Sequence, residues 1–141
     1  MKLVKVALLK HIEGFSKNRV ENMKKKMFRS CIWEKPICIE KNHYLVLDGQ
    51  HRFEVALKIG LKYIPCELFD YNDDEVVTWS LRKEYIVSKK MVIERALNGN
   101  IYPYKTAKHK FSRKIEKCNI SLNELEKYNK YIDDIIEYDF I

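Results

Sequence analysis

The sequence predicts an α+β fold, a small mixed sheet flanked by helices with a further helix at the C-terminus. Three observations predict it. Short apolar runs such as "LVKVALL" and "YLVL" have strand length, and the segments between them repeat apolar residues at spacings of three and four, the helical period. With 141 residues, the chain has room for one core and not for two. The alternation of strands and helices, without internal repeat or low-complexity linker, indicates one compact layered domain over 1–141. Residues 1–71 are expected to form its core and 72–141 a more helical part.

The elements follow in order. Leu3 to Leu9 reads as the first strand; "MKLVKVALLKHIE" is interrupted by charge too soon for a signal peptide. Asn18 to Cys31 reads as a helix, with Val20, Met23, Met27 and Cys31 on one side and lysines between them. Pro36 to Glu40 and His43 to Leu47 read as a hairpin turned at Lys41-Asn42, where Asn tolerates positive φ. Gln50 to Ile59 fits a helix stopped by Gly60. Ile64 to Phe69 reads as a strand, and "DYNDDE" as a turn. Val76 to Leu81 is open between strand and helix. A helix is expected from about Ser88 to Asn98, closed by Gly99. In "NIYPYKTAKHKF" Pro103 breaks regularity. Ser121 and Glu124 form a capping box for a last helix, whose apolar face is Leu122, Leu125, Ile132, Ile135 and Ile136.

Composition narrows the function classes. No apolar run approaches the roughly 20 residues of a membrane span, and the cytoplasm is the default location. Cys31, Cys38, Cys66 and Cys118 form no C-x-x-C pair, which argues against a disulfide framework or structural zinc. The net charge of +7 predicts anionic partners. Its lysines are spread along the chain, at Lys24-Lys25-Lys26, Lys89-Lys90 and Lys105 to Lys117, so a nucleic-acid footprint is not favoured.

One corner carries unusual chemistry. In "LVLDGQHRFEVALKIGLKYIP" a strand ends in Asp48-Gly49 and a helix opens with Gln50, His51 and Arg52. A helix N-terminus presents unpaired N–H groups to anions, and Gly49 allows close backbone approach. Arg52 can fork onto phosphate oxygens, and His51 can donate to them. Asp48 can hold magnesium or cap the helix. On these residues alone an ordinary Asp-Gly turn, with Arg52 on the surface, is the simpler reading. Only four glycines occur, at 14, 49, 60 and 99, so neither G-x-x-x-x-G-K-[ST] nor G-x-G-x-x-G can be written. A metal site of His11, His51 and His109 has no supporting ligand spacing, and His11 and His43 read as ordinary.

"VLDGQHRFEVALKIGLKYIPCELFDY" resembles the central motif of the ParB/sulfiredoxin-like superfamily, D-G-H-H-R followed by an Ala-rich helix, Gly-Leu and Ile-Pro. "KPICIEKNHYLVL" resembles the hairpin before it, and "LLKHIEGFSKNRVENM" the family's opening strand, acidic loop and helix. Sulfiredoxins carry a catalytic cysteine where this chain has Gln50, so that chemistry lacks its nucleophile. The chromosome-partition branch adds a helix-turn-helix domain for which too few residues follow Phe111. The free serine kinases, which use ADP or ATP, are similar in three further places: Glu13 six residues before Arg19, Trp79 about thirty residues past the central motif, and "YPYKTAKHKF", similar to their Pro-x-Lys-Thr-Thr-Arg-His segment.

The resemblance implies a kinase of free L-serine or a similar small hydroxylated metabolite. It implies Glu13, Asp48 and His51 as catalytic residues, with Asp48 on Mg2+. Gly49, Gln50, His51 and Arg52 would hold the phosphates of ATP or ADP. Trp79, Lys105, Thr106, Lys108 and His109 would bind the acceptor, Trp79 walling the site against water. Two departures bear on the acceptor: Gln50 replaces the family's first histidine, and Ala107-Lys108 its Thr-Arg pair. The alternative is a non-catalytic ParB-like nucleotide- or DNA-binding regulator, or a nuclease. Glu13 and the Lys105 to His109 segment separate the two, because a pure binder needs neither base nor acceptor pocket.

Overall fold

The computed structural model describes residues 1–132 and 134–140. Its centre is a five-stranded sheet of order β4-β3-β5-β1-β9, in which only the β3–β5 pair is parallel. Strand β1 is Lys2–Lys5, β3 Ile37–Glu40, β4 Leu45–Asp48, β5 Tyr63–Phe69 and β9 Glu137–Asp139. Helices α1 (Lys17–Ser30), α2 (Gln50–Ile59), α3 (Lys89–Leu97) and α4 (Leu122–Tyr131) surround it. Two small ribbons complete the fold: β2 (Ile32–Trp33) with β8 (Ile120–Ser121), and β6 (Val76–Ser80) with β7 (Ala107–Phe111). The expected α+β class holds.

The apolar runs of β3 and β4 are explained by burial on both faces, since alternate side chains point to opposite sides. Ile37, Ile39 and Val46 enter one core with Val20 and Met27 of α1, Phe53 and Ala56 of α2, and Leu125 of α4. Cys38, Leu45 and Leu47 enter a second core with Val92 and Ala96 of α3 and with Val76, Tyr102 and Ala107. The α3 and ribbon layer therefore covers the face that α1 and α2 leave open.

Several expectations change in detail. The first strand ends at Lys5 and a 3₁₀ turn, Val6–Leu8, takes the chain off the sheet. The β3–β4 turn has its positive φ at Tyr44, not at Asn42. Buried Glu40 organises that turn by accepting the N–H groups of Asn42 and His43. Val76–Ser80 resolves as strand, and the segment after Pro103 contains its partner β7. The 72–141 part is thus strand as well as helix. The last helix ends at Tyr131, so Ile135 and Ile136 lie beyond it, and the chain returns as β9 against β1.

Helix α1 is capped by Ser16, whose Oγ accepts the Arg19 N–H at 3.2 Å. Helix α2 has no side-chain cap: its N-cap is Gly49 at φ +116°, wedged against β3. A Cβ there would lie 2.4 Å from Ile37 Cγ2. Gly60, at φ +77°, has nothing within 4 Å of such a Cβ. Gly60→Ala is expected to cost about 1–2 kcal/mol, the left-handed penalty alone. Gly49→Ala adds overpacking and is expected to cost about 2–5 kcal/mol. Urea unfolding of both variants checks this, and equal losses would refute the wedge.

Candidate functional site

The β4–α2 corner, the loop before α1 and the segment leading into β7 enclose a cleft of about 430 Å³. Of the sequence-predicted residues, Glu13, Asp48, Gly49, Gln50, His51, Arg52, Lys105, Lys108 and His109 line it. Residues from positions 13, 48–52 and 105–109 are thus brought to one place by three separate elements.

The corner presents donors. With no side-chain cap and no acidic residue in its first turn, α2 directs its opening amides and the positive end of its dipole at the cleft. Half-buried Arg52 lies in that first turn and makes no hydrogen bond or ion pair among the described residues. Burial lowers its pKa, with Asp48 and Glu34 opposing the shift. The Asp48 carboxylate is exposed at the end of β4 and does not cap α2.

His51 is held in one tautomer. Its Nε2 accepts the Ser16 N–H at 3.0 Å, which leaves the proton on Nδ1. Burial, followed by the charges of Arg19, His11 and Lys105, lowers its pKa and favours this neutral ring. Tyr104 packs edge-on against the ring at 5.5 Å.

The Gln50 side chain does not face a phosphate. Its Nε2 donates to the Val46 carbonyl and its Oε1 lies 2.6 Å from His11 Nδ1. His11 Nε2 meets Glu54 Oε2 at 2.9 Å, so His11 serves α2 and not the neighbouring Glu13. This network stiffens the start of α2 from beneath.

Glu13 faces a tight backbone turn. Oε1 accepts the Ala107 N–H at 2.8 Å, Oε2 accepts the Lys105 N–H at 3.1 Å, and the Thr106 amide adds to them. Lys105 has φ +58°, which lets successive amides converge as an anion nest. Burial raises the Glu13 pKa and outweighs the opposing amides and Lys108. Three amides leave one of the carboxylate's four lone-pair positions open, so the group remains able to accept a proton.

Two predicted residues sit elsewhere. Thr106 is fully buried and its hydroxyl donates to the Pro103 carbonyl at 2.6 Å, closing the turn. Trp79 lies on the outer face of the β6–β7 ribbon, outside the cleft lining, because β6 alternates and sends Val76 inward instead. Leu81 and Tyr104 provide the apolar wall. His109 is buried, with Tyr71 donating to its Nε2 and its Nδ1 facing the Ala107 carbonyl without a well-formed bond. Burial drops this ring to about 4.

Sequence reasoning assigned no role to Arg19 or Lys35, which also line the cleft. Arg19 Nη1 donates to Tyr104 Oη at 3.0 Å. The Ser16 cap one turn earlier could have signalled Arg19; Lys35 sits in a loop without a pattern. Arg19, Lys35, Arg52, Lys105 and Lys108 have no carboxylate partner among the described residues. Against them stand only Asp48 and the amide-bound Glu13. The cleft is built for an anion. No three His, Cys, Asp or Glu side chains among the described residues converge as a metal site.

His109 yields a prediction for stability. The unfolded ring takes up a proton near its usual 6.5 and the buried ring only near 4. As pH falls through that window the unfolded state gains protons first, so stability drops, by on the order of 3 kcal/mol when complete. His109→Gln still accepts from Tyr71 and is expected to flatten this part of the stability–pH curve. A curve identical to wild type would refute the assignment.

No protein-family model matches the chain. A ParB-like protein from Sulfolobus acidocaldarius is 44% identical over 41 residues, 29% of this chain and 21% of that protein, about a fifth of its length. A free serine kinase in complex with AMP superposes with a TM-score of 0.79 at 17% identity, covering 87% of this chain and 92% of that one. A glutamate-to-alanine variant of free serine kinase in complex with ADP gives 0.79 at 16% identity over the same shares. The chain therefore has a ParB-like α+β fold, the fold of free serine kinase.

Proposed function

We propose that the chain is a nucleotide-dependent small-molecule kinase. It transfers a phosphoryl group from ATP or ADP to the hydroxyl of free L-serine or a similar small hydroxylated metabolite. The observation that carries this reading is the cleft itself, with five unpaired cations and a bare helix N-terminus facing a half-buried carboxylate. The kinase fold and the nucleotides bound by that enzyme support it.

Phosphoryl transfer asks mainly for positioning and charge neutralisation. The opening amides of α2, the Arg52 guanidinium and His51 Nδ1–H hold the donor phosphates. Asp48 would be the residue to hold a magnesium ion, a hard cation that takes carboxylate oxygen. When bound, the ion neutralises charge on the phosphate oxygens. Glu13 accepts the proton of the acceptor hydroxyl as its oxygen bonds to the terminal phosphorus, while the bridging oxygen leaves with the nucleotide. Lys105 and Lys108 hold the acceptor's carboxylate. Thr106 acts through its amide and its turn, and neutral His109 backs the wall.

A second reading, a nucleotide-binding regulator without turnover, is favoured by the amide bonds on Glu13, which serve equally as a structural clip. Phosphorus-31 NMR with magnesium, ATP or ADP, and L-serine separates the two. A new phosphomonoester signal that requires serine is expected, with a loss of about 100-fold or more in Glu13→Gln. Nucleotide binding without turnover, across a panel of hydroxylated acceptors, would sink the kinase reading.

The pH profile offers a further check. Because the Glu13 pKa is raised, the acid limb of kcat/KM is expected above the usual carboxylate value of 4.5. Glu13→Gln is expected to abolish that limb in whatever activity remains. A limb at 4.5 or below would assign it to another group.

A further inference from the structure

The β6–β7 ribbon has two unlike faces. Directly opposed residues share a face in an antiparallel pair, and the register opposes Val77 to Lys110 and Trp79 to Lys108. The inner face, Val76, Thr78, His109 and Phe111, covers the second core. The outer face is Val77, Trp79, Lys108 and Lys110, all exposed. Trp79 is 41% exposed, whereas Trp33 is fully buried. No acidic residue stands on that face, and neither lysine has a carboxylate partner among the described residues.

An exposed tryptophan on one face with the unpaired Lys110 is not needed by the core, and both lie outside the cleft lining, which Lys108 opposite Trp79 joins. Lysines that look scattered in sequence are placed together here, because positions 108 and 110 share one side of a strand. We propose that the outer face of this ribbon is a binding platform for single-stranded nucleic acid. An unstacked base lies on the Trp79 indole while Lys110 meets a flanking phosphate. Charge complementarity selects this occupant. An apolar protein partner would bury Lys110 without a counter-charge, whereas a phosphodiester strand supplies one at each nucleotide.

The test is titration of the full chain with oligothymidylate of about 15 nucleotides, followed by tryptophan fluorescence and by anisotropy of a labelled strand. Quenching of the exposed tryptophan is expected, with affinity falling steeply between about 50 and 200 mM salt. Trp79→Ala and Lys110→Glu are each expected to weaken binding by about fivefold or more, and Trp79→Phe to restore most of it. Lys110→Glu is expected to leave serine phosphorylation unchanged, which keeps failure of this proposal distinct from failure of the kinase reading. Three results would overturn the proposal. They are no binding at low salt, equal affinity for duplex of the same sequence, and full competition by ATP, which would put the strand in the cleft.

Discussion

The corner at Gly49 is the constraint on which the cleft depends. Strand β4 must end and α2 begin within one residue, with the backbone pressed against Ile37 of the neighbouring strand. Only a residue without Cβ, at positive φ, meets both demands. The reward is that α2 points its uncapped N-terminus outward past the end of the sheet, where its amides are free to meet an anion. Beneath it the chain Glu54–His11–Gln50–Val46 anchors the first turn, so the donors are held before any ligand arrives.

A second tie joins the two halves of the cleft. Glu13 lies in the loop before α1, and its carboxylate gathers the amides of residues 105–107. The Tyr102 backbone is tied on both sides beside it, its carbonyl accepting from Gly14 and its N–H donating to Ile12. These contacts span about ninety residues of sequence and bring the α3 and ribbon layer onto the central sheet. The same carboxylate therefore shapes the site and stands in it. Its raised pKa reflects this position, where the desolvation cost exceeds what the amides return.

Legibility in the sequence followed the range of the interactions. Helix α2 and its glycine stop were readable to the residue, because caps and periodicity are local. The Asp48–Arg52 cluster was readable for the same reason. Strand β7 was not, since Pro103 and interleaved lysines read as loop until β6 supplied a partner. Ile135 and Ile136 continued the helical spacing of α4, yet β1 offered open pairing and the chain turned back to it. Thr106 and Trp79 matched a motif by position. Whether each side chain faced inward or outward depended on a turn and a register that no local pattern encodes.

By itself, then, the sequence determined the α+β class, the strand-to-helix corner at Asp48-Gly49 and the excess of positive charge. Each of these is set by residue type within a turn or two of chain. The tertiary structure alone decided which cations share the cleft, that Gln50 turns inward to His11, that Glu13 is bound by backbone amides, and that Trp79 stands outside on a basic ribbon. Those outcomes depend on how distant strands pair and which face is left for solvent. A one-residue change of register would reverse every one of the ribbon's side chains.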